Sequence, residues 1–216
     1  AKKLGYSVTP VGTESNATED FTPGSHLTAE QIAEFREQEA EINGDYSENA
    51  WEASRLYDDL IEAKDTAWAD HILQKMEDAA KDFSELVTVF EKLKERNETE
   101  RFLAVLKKAE EKAEETREYT QLTEEVIEID KDWAVKLCQK AEKIAKDYSD
   151  LTTVAWAVAD FDKDWMIEIY KKAETLAEDS FDHRDLAENV YSIDKDWAAS
   201  LMTKSEAKAE KFNDFI

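Results

Sequence analysis

The chain has 216 residues and a formal net charge of −24, with 42% hydrophobic and 37% charged residues. A field of that sign repels phosphate backbones and anionic lipid, so neither nucleic acid nor a membrane surface is an expected partner. No run reaches the roughly 18 apolar residues of a membrane span, and the single cysteine, Cys138, excludes a disulfide framework or a multi-cysteine zinc site.

Residues 1–25 read as an extended or disordered N-terminal arm, rich in turn formers and β-branched residues and without a helical period. Lys2 and Lys3 are followed by no apolar stretch, so no secretory signal is expected and the cytoplasm is the default compartment. Ala1 at the start fits either methionine removal or cleavage of an upstream piece. All four glycines and both prolines lie within the first 44 residues. Their absence beyond that point predicts an α-helical repeat domain over 26–216, with helix ends made by Asp, Ser, Asn and Thr side chains.

That domain opens with a degenerate unit, helices near 27–42 and 47–63, whose core candidates are Ile32, Phe35, Trp51, Leu56, Leu60 and Ile61. A repeat then becomes explicit. The tetrapeptide DKDW recurs at Asp130–Trp133, Asp162–Trp165 and Asp194–Trp197, with copies 32 residues apart. One slot behind it holds Ile72, Val105, Leu137, Ile169 and Leu201, and the next holds Leu73, Leu106, Cys138, Tyr170 and Met202. A KAE-like signature follows, then an unvarying alanine at Ala80, Ala113, Ala145, Ala177 and Ala209. Trp133, Leu137, Ala141 and Ala145 fall four apart, along one face of a helix. A second, shorter face reads Leu151, Val154, Ala155 and Val158, echoed by Leu122, Thr123 and Val126, by Leu186, Ala187 and Val190, and by Val89, Phe90 and Leu93.

Each unit is therefore predicted as a long helix of roughly 17 residues, about 25 Å, followed by a short one of about 10. The small alanine slot is expected to let helices approach closely, and the Trp slot to join one unit to the next. The predicted fold is all-α: a right-handed solenoid of about five antiparallel helical hairpins, the last incomplete, with the extended arm in front. By its period and its DKDWAxxLxxKAExxA unit, the chain resembles the α-solenoid repeat families, the tetratricopeptide repeats being nearest in length. That family's Leu-Gly pair and closing proline are absent, so its peptide-binding positions do not carry over.

The DKD aspartates invite a calcium reading, but a lysine intervenes, no turn glycine is present and a helix follows at once. Capping of that helix is the expected role. Trp68, Trp133, Trp165 and Trp197 are expected between units, whereas Trp156 falls outside their slot and is expected on the surface. Cys138 shares a slot with Leu, Tyr and Met and reads as a buried hydrophobe. His26, His71 and His183 occupy unrelated repeat positions, with His71 expected exposed, and Glu142 is placed to pair with Lys146. No catalytic set, metal site or cofactor loop is predicted, and an enzyme is not expected.

The expected function is a non-enzymatic scaffold or adaptor, a complex subunit binding other proteins, including basic ones, through its arm, its curved face or an open C-terminal end. Homo-oligomerisation through that end is included in this expectation. Tyr6, Val8, Phe21, Trp156, Phe212, Phe215 and Ile216 are the partner-binding candidates. The alternative is an acidic protein binding a ligand or divalent cation.

Overall fold

A computed structural model describes residues 21–213, with side chains as far as Ala209. Tyr6, Val8, Phe215 and Ile216 lie outside the described residues, and so does the Phe212 side chain. Every regular element among the described residues is an α-helix: α1 (Ala29–Glu41), α2 (Ala50–Glu62), α3 (Thr66–Ala79), α4 (Phe83–Glu95), α5 (Thr99–Lys112), α6 (Thr116–Val126), α7 (Lys131–Ile144), α8 (Tyr148–Val158), α9 (Lys163–Leu176), α10 (Ser180–Val190) and α11 (Lys195–Asn213). The chain divides into two compact units, Ala1–Lys81 and Asp82–Ile216.

Aspartate caps set where most of these helices begin. Asp65, Asp130, Asp162 and Asp194 accept the backbone N–H of Trp68, Trp133, Trp165 and Trp197 at 3.1, 3.0, 2.9 and 3.0 Å. Each bond satisfies one of the four N–H groups that a helix start leaves without a partner, a contribution of about 1 kcal/mol. The second aspartates of the triplets, Asp132, Asp164 and Asp196, are exposed in the first turn, where the helix dipole favours an anion. The short helix α8 is capped in both directions: Asp147 accepts from the Asp150 N–H at 2.9 Å, and Asp150 accepts from the Lys146 N–H at 2.8 Å. The DKD triplet is a cap, as its composition predicts.

Helix lengths and phase differ from the sequence reading. Of the helices carrying the Trp slot, α3, α5, α7 and α9 are 14 residues long rather than 17, and α11 runs for 19. Their invariant alanines Ala80, Ala113, Ala145 and Ala177 are C-caps with ψ between 114° and 129°, so they turn the chain out of the helix. The residue that lets helices approach is instead the alanine inside KAE: Ala109, Ala141 and Ala173 are all fully buried. The four-residue spacing puts both alanines on one helical face, and only the C-terminal turn separates their roles. The most extensive packing joins each shorter helix to the longer one after it, in the pairs α2–α3, α4–α5, α6–α7, α8–α9 and α10–α11. The final helix, read from sequence as lacking its partner, therefore packs along α10.

In the first unit, α1 packs on α2 and α2 on α3 around Phe35, Leu56, Leu60, Trp68, Ile72 and Leu73. Trp51, a core candidate, is 68% exposed, with the Arg55 guanidinium 5.4 Å above its ring. Residues 21–27 belong to this unit. The Phe21 ring stacks on Trp68 and His71, and the Gly24 N–H donates to Asp65 Oδ2 at 2.6 Å. A Cβ at Gly24 would lie 2.5 Å from His26 Cε1 and 3.0 Å from Asp65 Oδ2, so a larger residue there would require the exposed His26 side chain to move.

In the second unit the predicted slots fill the core. Val105, Leu137, Ile169 and Leu201 are fully buried, each side chain contributing about 1.5–3 kcal/mol. The short-helix faces Leu122–Val126, Leu151–Val158 and Leu186–Val190 join them. Met202, in the slot of Leu106, Cys138 and Tyr170, is 40% exposed, unlike those three.

Candidate functional site

The KAE glutamates account for why Trp and Lys recur with them. Glu110 accepts the Trp133 indole N–H through Oε2 at 2.7 Å and the Lys140 ammonium through Oε1 at 2.7 Å. Glu142 does the same with Trp165 at 2.8 Å and Lys172 at 2.5 Å, and Glu174 with Trp197 at 2.8 Å and Lys204 at 2.6 Å. One carboxylate on each long helix thus holds two groups of the next long helix, linking α5 to α7, α7 to α9 and α9 to α11. A hydrogen bond to a charged acceptor contributes about 1.5–3 kcal/mol, whereas the exposed lysine end of each staple adds at most about 1. Glu142 therefore pairs with Lys172 rather than Lys146: the sequence offered a local partner, and the repeat supplies one from the neighbouring helix. The three tryptophans are half-buried, not core, because the indole N–H reaches outward to its carboxylate.

At Glu174 the staple favours the charged carboxylate. Burial alone pushes the Glu174 carboxyl up, but the bonds from Lys204 and Trp197, with the charges of Lys204 and His183, outweigh it and hold the group below its ordinary value. A carboxyl depressed in the folded state contributes stability above its unfolded pKa and loses it as pH falls through the folded pKa. Glu174→Gln is therefore expected to remove part of the loss of stability seen on acidifying below the usual glutamate range. Urea melts of the two proteins at neutral and acid pH check this: the gap between them should narrow as pH falls.

Other sequence candidates are absorbed by structure. Cys138 is fully buried beside the Thr123 hydroxyl, and burial raises its thiol above the ordinary value despite that hydroxyl. His71, expected exposed, is partly covered and lies under Phe21, 5.2 Å between ring centroids. His183 is buried, with Nδ1 2.8 Å from the Asp179 carbonyl. Among the described residues, no group of three or more His, Cys, Asp and Glu converges in a metal-holding arrangement. Phe21 is half-buried within its own unit, and of the partner-binding candidates with a described side chain only Trp156 is exposed, at 56%.

Trp156 is exposed beside a groove of the second unit. Its indole N–H donates to Asn189 at 3.3 Å, from α8 to α10, next to the Tyr148 hydroxyl bonded to Asp185 at 2.7 Å. Burial and then that carboxylate raise the Tyr148 hydroxyl far above its ordinary value, so it stays a donor. Between α6 and α8 runs a groove of about 300 Å³ lined by Thr120, Thr123, Ile127, Thr153, Trp156 and Ala157, with Glu124 and Asp160 beside them. A second groove of about 320 Å³ lies next to it, lined by Leu93, Phe102 and Ile129 with Glu98, Glu125 and Glu128, and shares Glu124. Lys94 crosses it to Glu125 at 2.6 Å. Further along, the last hairpin exposes Phe181 and Tyr191 as well as Met202. Sequence reasoning missed both grooves, because a threonine scores as polar although its methyl can face a groove. The spacing of Thr120, Thr123 and Ile127 was the available signal.

No protein-family model, curated protein or solved structure matches this chain.

Proposed function

We propose that the chain is a non-enzymatic protein-interaction scaffold, an adaptor subunit that holds other proteins on the face of its short helices. The observation that supports this most is Trp156, a large aromatic more than half exposed at the lip of an apolar groove. Tryptophan is enriched among the few residues that dominate protein interfaces, and an exposed one beside a groove is a natural anchor. The repeat geometry gives context. The polar residues that recur most regularly are engaged in caps and staples, which stiffen the array and leave recognition to the variable positions between them.

Affinity capture with the tagged chain, followed by light scattering of the reconstituted complex, tests this reading. A partner bound in defined stoichiometry is expected, and its capture should weaken with Trp156→Ala or on deleting residues 1–20 or 212–216. A strictly monomeric protein that captures nothing, with all of these variants behaving alike, contradicts the reading.

A further inference from the structure

Building on the scaffold reading, we infer that the groove between α6 and α8 receives a basic segment of a partner protein, an apolar side chain flanked by lysine or arginine. The floor is apolar despite its composition. The hydroxyls of Thr120, Thr123 and Thr153 donate to the carbonyls of Arg117, Tyr119 and Ser149 at 3.0, 2.9 and 2.8 Å. With their oxygens engaged by their own helices, these residues leave little free hydrogen-bonding capacity beside Ile127 and Ala157. A volume of about 300 Å³ lies at the lower end of ligand pockets, enough for a side chain rather than a large cofactor.

The surroundings select the charge of what enters. Glu124 and Asp160 are exposed at this groove, and neither has an ion-pair partner among the described residues. Glu128, also exposed and unpaired among those residues, continues the series into the adjoining groove. A cation placed here gains from these acids and from the quadrupole of the exposed Trp156 ring. A second copy of this chain is disfavoured, because each copy carries a net charge of −24. The two grooves share Glu124, and neighbouring helices stand about 10 Å apart. An extended chain advances about 3.3 Å per residue, so apolar side chains about three residues apart suit both grooves.

Fluorescence anisotropy with a labelled synthetic peptide, leucines separated by paired lysines, tests the assignment on the full chain. Two control peptides replace lysine by glutamate or leucine by alanine. The leucine–lysine peptide is expected to bind, with both controls at least about tenfold weaker. Trp156→Ala should lower its affinity about tenfold, and Glu124→Gln combined with Asp160→Asn should lower both affinity and salt dependence. These residues are exposed, and a far-UV spectrum and melting temperature matching the wild type show that each variant still folds.

Failure of the leucine–lysine peptide to bind overturns the assignment. Equal binding of the leucine and alanine peptides also overturns it, since that is attraction of charge alone, as does indifference to Trp156→Ala. If partner proteins are still captured by all these variants, the scaffold reading stands and only the groove assignment falls.

Discussion

Trp68→Ala is expected to destabilise the Ala1–Lys81 unit by about 3–5 kcal/mol, the range for deleting a buried aromatic. The side chain is fully buried, with Phe21 stacked at 6.0 Å, Phe35 edge-on at 5.8 Å and the Arg36 guanidinium 4.7 Å from the ring. Its removal opens a cavity and also takes away the surface on which Phe21 lies. Proteolysis between residues 21 and 27 should therefore accelerate along with the loss seen in urea melts. Trp68→Phe should cost much less. Unlike the three stapled tryptophans, Trp68 has a buried indole N–H with no hydrogen-bond partner among the described residues. Deleting an unsatisfied buried donor returns part of its desolvation cost, about 1–3 kcal/mol, against the packing lost. A Phe variant as unstable as the Ala variant would show that the ring face is not what holds the unit together.

The second large effect is expected from adding atoms. Ala141 is fully buried within the core of the second unit, among Cys138, Val154, Tyr170 and Ala173. Ala141→Leu should cost about 1–3 kcal/mol, because a close-packed core has no room for three more carbons without off-rotamer side chains or helix shifts. Ala145→Leu, only four residues on, should cost roughly 0.5 kcal/mol or less. Ala145 is a partly exposed C-cap at φ −54° and ψ 129°, a conformation open to any residue. Chemical denaturation of both variants decides the point, and comparable losses would return the close-approach role to the more regular alanine.

The contrast between these two alanines shows what was legible in the sequence. Periodicity located the helices, the slots Leu137, Ile169 and Leu201, and the aspartate caps, because each depends on spacing within one helix. The hairpin phase was not legible. A repeat has no marked beginning, and pairing α6 with α7 rather than α7 with α8 depends on which turn brings helix faces together. The staple escaped for a related reason. Glu142 and Lys172 lie 30 residues apart, while the sequence also offers Lys146 at an ordinary helical spacing. A carboxylate with two candidate lysines is assigned by the fold.

The candidate site was legible only at Trp156, which departs from its repeat equivalent Glu188 and is exposed as that departure predicts. Its surroundings were not, since one groove arises where α6 meets α8 and the other where α6 meets α4 and α5. Phe21, a partner-binding candidate from the sequence, is occupied within its own unit. The DKDW and KAE signatures thus become two ends of one device: aspartate starts the helix, tryptophan and lysine reach back, and glutamate receives them.

A double-mutant cycle between Trp165 and Glu142 tests that device most directly. Trp165→Phe removes the indole donor, Glu142→Gln removes the charge of its acceptor, and the pair of variants with their combination is followed by urea denaturation. Groups joined by a direct bond are expected to couple, here by about 1 kcal/mol, so the double variant should lose clearly less than the sum of the single losses. Additive losses within about 0.3–0.5 kcal/mol would contradict the staple and leave the recurrence of Trp, Lys and Glu without a physical basis.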